Sequence, residues 1–262
     1  MADYELGQHL PSEVYDKVVV RGPVDFVDKY QDFLGATDEK DIIANAVGPL
    51  LLEGTVLDVG AGTGDIPDKL HLDPAKYTAV EQSPELVEIL RAKGYDTIKN
   101  LFPCELPRTY DNVLMSHVLF GIEQCDAMID PAWESVSEGG QLAVVTFRDN
   151  LDDYNKLLHQ LGHTRRVSTD VRFNYLQEKF SLLGETALNT TQSHIYSPDI
   201  EGLATSISFI ATNTPVGTPE YRAELHDKIV SEQPYLDELY RTENGYQFPM
   251  EHYIFTTHKA EL

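Results

Sequence analysis

The residues with the most chemical content stand in one short run, VLDVGAGTGDI at positions 56 to 66. Gly60, Gly62 and Gly64 alternate behind an apolar stretch that carries Asp58. Glycines at this spacing let backbone come close to a bound molecule. A dinucleotide fingerprint requires G-x-G-x-x-G, and its third glycine position is here Asp65. A pyrophosphate seeks amide donors with no carboxylate beside them. A ligand with an ammonium group and no phosphate would instead be favoured by Asp58. Glu81 closes the next apolar run, 21 residues after Gly60. A carboxylate there can accept both hydroxyls of a ribose. Together these residues ask for a nucleoside with an amino-acid-like tail, and S-adenosylmethionine (SAM) is such a molecule.

A second set of residues could act on whatever that ligand donates. His117 stands within YDNVLMSHVLF (110–120), just past the expected strand end, and could take a proton or contact an acceptor. A histidine bonded to a backbone carbonyl would look the same. Phe26, Tyr30 and Phe33 are spaced i, i+4, i+7, one stripe of a helix, which is also what ordinary core packing writes. Glu39 follows in ATDEKDII, either as an acid stabilising a helix start or as a substrate carboxylate. Tyr30 and Phe33 beside a carboxylate would suit a cationic or aromatic amine. No metal site is expected. His194, His252 and His258 lack a ligand spacing, and Asp149, Asp152 and Asp153 resemble the carboxylates of catechol-type methyltransferases in composition only.

Positioning these groups requires alternating strands and helices. Residues 24–52 predict two helices split near Gly35, and the glycine run lies between a strand at 54–60 and a helix at 64–72. A second strand at 76–82 leads into a helix with Ser83 as N-cap and Pro84 at its first position. Further strands are expected at 95–100, 110–120 and 141–147, with a helix near 127–137. This order gives βαβ units and a doubly wound, mostly parallel sheet. Ligands of such sheets sit at the carboxyl ends of strands near the topological switch point, where the glycine loop falls. Beyond residue 147 helices are expected at 150–161, 172–184, 199–211 and 219–231, with strands at 186–196 and 252–259.

The motif VLDVGAGTGD, followed by a strand ending in Glu81, resembles the glycine loop and acidic strand end of the class I SAM-dependent methyltransferases. The resemblance spans five strands in order, about residues 50 to 147. It implies an α/β fold: a doubly wound, Rossmann-like, seven-stranded mostly parallel sheet with N-terminal helices and a helical lid after the fifth strand. The implied division is an N-terminal helical segment (1–48), a cofactor core (49–148) and a substrate cap carrying the last two strands (149–262). By the same resemblance Asp58, Gly60, Ala61 and Gly62 meet the methionine part of SAM. Glu81 holds the ribose, with Gln82, Asn100 and Leu101 around the adenosine, and Ser116 and His117 face the methyl. S-adenosylhomocysteine would be the product. The layout of nearly the whole chain is distantly similar to that of histamine N-methyltransferase, supported by YQDFLGATDEKD (30–41) and TPVGTPEYRAEL (214–225). This implies a substrate pocket of Phe26, Tyr30, Phe33, Glu39 and Met250, with His117 and Glu39 catalytic. The loop departs from that enzyme, having the GAGTG form instead of a triple glycine.

Composition narrows the partners. Asp plus Glu number 43 against 20 Lys plus Arg, a formal net charge of −23. Such a surface repels nucleic-acid phosphates and anionic lipid. No run of about 20 apolar residues suggests a membrane span, and the N-terminus has no secretory pattern. Two cysteines, Cys104 and Cys125, suggest no disulfide framework. The expectation is a cytoplasmic monomer or homodimer that transfers methyl from SAM to a small molecule, by preference to an amine nitrogen. O-methylation of a phenol or carboxylate is the alternative. A non-catalytic SAM-binding protein and an aminopropyl transferase are further readings.

Overall fold

The four residues Val56–Val59 (β1) and the five residues Tyr77–Glu81 (β2) are buried at every position. Strands covered on both faces are mostly apolar, and Asp58, Thr78 and Glu81 are the buried polar exceptions in these two. The computed structural model describes residues 26–119, 125–147, 153–162, 169–212 and 219–261. The strands that follow are Asp96–Lys99 (β3), Tyr110–Ser116 (β4), Val136–Thr146 (β5), Glu185–Ser197 (β6), Arg241–Thr242 (β7) and Gly245–His258 (β8). They form one eight-stranded sheet in the order β3-β2-β1-β4-β5-β8-β6, with β7 paired to β8. The first five of that order pair in parallel, while β8 runs antiparallel to both β5 and β6. The chain winds outward from β1 to β3 and then returns to place β4 on the other side of β1. The carboxyl ends of β1 and β4 therefore open onto the switch-point crevice.

The expected doubly wound sheet is present, with three differences in detail. β5 begins at Val136, because a bulge between Tyr110 and Asn112 lets the Gly139–Gly140 turn lie inside the strand. β8 begins at Gly245 and pairs with β6 over its whole length. A helix at Gln233–Tyr240 and the two-residue β7 precede it, neither of which was expected.

Helices cover both faces. In chain order they are Phe26–Gly35 (α1), Glu39–Leu51 (α2), Asp65–Leu70 (α3), Pro84–Ala92 (α4), Asp126–Glu134 (α5), Asp153–Gln160 (α6), Thr169–Leu183 (α7), Ile200–Thr212 (α8), Pro219–Ser231 (α9) and Gln233–Tyr240 (α10). The Ser83 hydroxyl accepts from the Leu86 N–H at 3.5 Å, with Pro84 at the first helical turn, as the sequence predicts. The core falls into three buried clusters. One lies around β4 and α5, one around α2 and the start of β1, and one joins α1 and α8 to the outer strands. No helix among the described residues is long and apolar enough to cross a membrane.

The short turn from α1 to α2 is stitched to the edge strand β6. Asp38 Oδ1 accepts from the His194 N–H at 2.6 Å, and its Oδ2 from the Tyr196 hydroxyl at 3.0 Å. Thr37 donates to the His194 carbonyl at 2.8 Å and accepts from the Glu39 N–H at 3.1 Å. These bonds fix where Glu39 enters α2.

Candidate active site

The glycine loop leaves β1 with three left-handed residues, Gly60, Gly62 and Gly64, at φ +69°, +59° and +76°. Side chains would strain such a path. At Gly60 space excludes one as well, since an added Cβ would lie 2.4 Å from Val118 Cγ1. The loop is then tied down by its neighbours. The Gly60 N–H donates to the Val80 carbonyl at 2.8 Å. The Gly62 N–H donates to Glu81 Oε2 at 3.0 Å, and the Ser83 N–H donates to Glu81 Oε1 at 2.9 Å. One carboxylate thus joins the loop to the first turn of α4. Burial pushes the Glu81 carboxyl up, against these backbone donors. The Gln82 N–H is a third backbone donor to this carboxylate, and with about four lone-pair sites the group keeps room for a further hydroxyl donor.

Asp58 is buried, and its Oδ2 accepts from the Tyr77 hydroxyl at 2.7 Å. Burial pushes its carboxyl up to about 6, with the Tyr77 bond and the charge of Lys40 acting the other way. Ala61 and Gln82 are half-buried beside the loop and after β2. The Asn100 N–H donates to the Glu81 carbonyl at 3.1 Å, while its side-chain oxygen accepts from the Leu101 N–H at 2.9 Å. Leu101 itself belongs to the main core cluster. The residues expected around SAM therefore gather at the ends of β1, β2 and β3. At the end of β4, Ser116 Oγ is buried without a hydrogen-bond partner among the described residues.

His117 sits at φ +57°, a left-handed conformation rare for a residue with a side chain. Such strain persists only where surroundings enforce it, and it concentrates at functional sites. Its ring stacks on Phe147 at 4.4 Å, and its Nε2 lies 3.1 Å from Nδ1 of His252. His252 Nε2 lies 2.6 Å from the Ser193 hydroxyl. His252 is fully buried on β8, and that burial pushes it down to about 4, so it is neutral at physiological pH.

Glu39 opens α2 beside this pair. Ligand atoms of Glu39, His117 and His252 all lie within 4.8 Å of one another. Burial pushes the Glu39 carboxyl up, but Lys40, His117 and His252 outweigh it and hold it at about 2. Lys40 Nζ is 2.8 Å from Glu39 Oε1, and the two side chains are 12% and 6% exposed. This buried ion pair holds the Lys40 ammonium well above its ordinary range, against burial, which pushes it down. Tyr30 reaches the same place from α1. A Cβ on Gly62 would lie 3.4 Å from the Tyr30 hydroxyl, so Tyr30 covers the glycine loop.

The sequence-predicted substrate residues divide. Tyr30 and Glu39 approach the loop and His117. Phe33 and Met250 are buried in the cluster that joins α1, α8 and β8, with Phe33 6.0 Å from Phe209. Phe26 begins α1, and its side chain lies outside the described ones. Lys40, Ser193, Phe147 and His252 complete the arrangement without having been read from sequence.

The chain matches the methyltransferase domain family over residues 30–189. It belongs to that family. The chain is 28% identical over 106 residues to the ubiquinone biosynthesis O-methyltransferase of Xylella fastidiosa, a stretch covering 37% of this chain and 43% of that protein. The match therefore spans under half of that relative's length. Among solved structures, it is similar to a SAM-dependent methyltransferase of Thermotoga maritima described as a possible histamine N-methyltransferase. Identity there is 16%, the TM-score is 0.53, and 89% of this chain and 96% of that chain are covered. The YcgJ protein of Bacillus subtilis gives 13% identity and a TM-score of 0.52, with 84% and 97% covered. These structural likenesses show the class I fold, in agreement with the strand order of this chain.

Proposed function

We propose that this methyltransferase moves the methyl group of SAM to a nitrogen of a small amine by direct displacement. The observation that carries this reading is the convergence of Glu39, His117 and His252 at the end of β4, next to the glycine loop. In this reading the loop and Asp58 receive the methionine part of the cofactor and Glu81 its ribose. Ser116 Oγ is a spare polar atom near the transferable methyl.

An amine must present its lone pair, so an ammonium must lose a proton first. His117 takes that proton. The nitrogen lone pair then forms the N–CH₃ bond while the CH₃–S bond breaks, its electron pair staying on sulfur. S-adenosylhomocysteine leaves. The leaving group is already good, so the protein's main work is alignment at near-attack distance and exclusion of water. Tyr30 over Gly62 supplies part of that cover and must yield to admit the cofactor. A small-molecule acceptor, and no nucleic acid or membrane, is the partner this reading assigns.

A second reading is favoured by one observation. Lys40 already neutralises Glu39, so the site lacks a spare negative charge for an ammonium. A phenol or carboxylate would need none.

The test begins with SAM and S-adenosylhomocysteine binding by calorimetry, followed by a methyl-transfer screen of small amines, phenols and carboxylates. Glu81→Ala should weaken SAM binding by about 1.5–3 kcal/mol through lost charge-assisted hydrogen bonds. His117→Ala should lower kcat by about 10² to 10⁴ while SAM affinity changes little. Unchanged SAM affinity in a folded Glu81→Ala variant would sink the cofactor assignment. Turnover of phenols with none of amines would replace the first reading by the second.

A further inference from the structure

We propose that Glu39, His117 and His252 form a binding site for a divalent transition-metal ion. The three donors come from α2, the residue directly after β4, and β8, places distant in sequence, and their ligand atoms lie within 4.8 Å of one another. His117 Nε2 and His252 Nδ1 are 3.1 Å apart. Two nitrogens bound at about 2.1 Å to one ion stand about 3.0–3.4 Å apart for angles between square and tetrahedral. The pair is thus at ligand spacing already.

The donor set selects the metal. Two imidazoles and one carboxylate suit zinc, iron, nickel or copper, whereas calcium and magnesium prefer all-oxygen sites. Three protein donors also leave a position for an exogenous ligand. The surroundings are those of a supported site. Ser193 Oγ is 2.6 Å from the distal nitrogen of His252. A metal on Nδ1 requires the proton on Nε2, which that hydroxyl can accept. Phe147 packs against both rings, with centroids 4.4 Å from His117 and 5.0 Å from His252. The left-handed backbone at His117, φ +57°, is the strain needed to bring its ring there.

Lys40 works against the ion. Its ammonium lies 2.8 Å from Glu39 Oε1 and offsets the carboxylate charge. Affinity is therefore carried mainly by the imidazoles, and removing the ammonium strengthens the site. This proposal does not depend on methyl transfer: an ion on His117 uses the one free imidazole lone pair, so the proton-accepting role of His117 belongs to the metal-free protein.

The experiment titrates Zn²⁺ alone into chelator-treated full-length protein by calorimetry, with bound zinc counted by mass spectrometry. One equivalent is expected. Cobalt substitution should give visible absorption from a nitrogen-ligated ion. His252→Gln and His117→Gln should lose more than about 100-fold in affinity, and Ser193→Ala about 10- to 100-fold. Lys40→Met should bind more tightly. Should a histidine variant fail to fold, the Ser193 and Lys40 variants still decide the matter. Absence of stoichiometric uptake overturns the proposal. So does uptake that Ser193→Ala and Lys40→Met leave unchanged, which marks zinc held by surface histidines.

Discussion

Asp58 offers a quantitative check on the burial argument at the base of the glycine loop. Its side chain is 3% exposed, and its carboxyl is pushed by burial from an ordinary 3.8 up to about 6. A carboxyl raised in the folded state keeps its proton where the unfolded chain has released it. Stability from this group is present below pH 3.8 and lost as pH rises through about 6. At about 1.4 kcal/mol per pH unit, the full gap corresponds to about 3 kcal/mol. Between pH 4 and pH 7.5, roughly 2.5 kcal/mol of that is traversed. Asp58→Asn removes the titration while its amide oxygen can still accept from Tyr77, so any lost packing is independent of pH. Relative to wild type, the variant should therefore gain about 2.5 kcal/mol on going from pH 4 to pH 7.5. Urea denaturation of both proteins at the two pH values, without SAM, measures this double difference. A double difference near zero would refute the reasoning, because it would mean that Asp58 titrates like a solvated carboxyl. In the proposed complex the ammonium of SAM meets Asp58 and favours its charged form. SAM affinity should then fall as pH drops below about 6, and Asp58→Asn should flatten that dependence.

Two further outcomes follow from the same geometry. Gly60→Ala places a methyl 2.4 Å from Val118 Cγ1 on a backbone at φ +69°. The backbone strain costs about 1–2 kcal/mol, and thermal melts should show it alongside weakened SAM binding. Val118→Ala in the same chain should recover the steric part and leave the backbone part. In chelator-treated protein, Glu39→Gln strands a buried Lys40 ammonium and should cost about 3–5 kcal/mol by urea denaturation. The double variant Glu39→Gln, Lys40→Met should recover most of that loss, and equal losses in the single and double variants would show that the pair is not what stabilises this corner.

What the sequence discloses follows from how far apart the cooperating residues stand. The glycine loop and Asp58 occupy a contiguous run, and Glu81 lies one βα unit further on, so their common place at the switch point is legible. The strand order is legible for the same reason, since each parallel strand is a short apolar run bounded by turn residues. Tyr30 and Phe33 show where local pattern stops. Both lie on the helical stripe, yet Tyr30 covers Gly62 while Phe33 is buried against Phe209. A period of 3.6 identifies an inward face without saying whether that face meets a site or a core. His252 is harder still. It is 135 residues from His117 and 59 from Ser193, and only the antiparallel insertion of β8 between β5 and β6 brings the three together. Its neighbours in the chain, Met250 and Ile254, are core residues, so nothing local sets it apart from a histidine buried in packing. Lys40 was hidden differently. Beside Glu39 in a charged run it looks like solvated surface, and only the bonds of Thr37 and Asp38 to β6 turn that run inward. The proposed cofactor half of the site is thus written locally, whereas the proposed acceptor half is assembled by long-range pairing. That is where a shared fold can acquire its own chemistry.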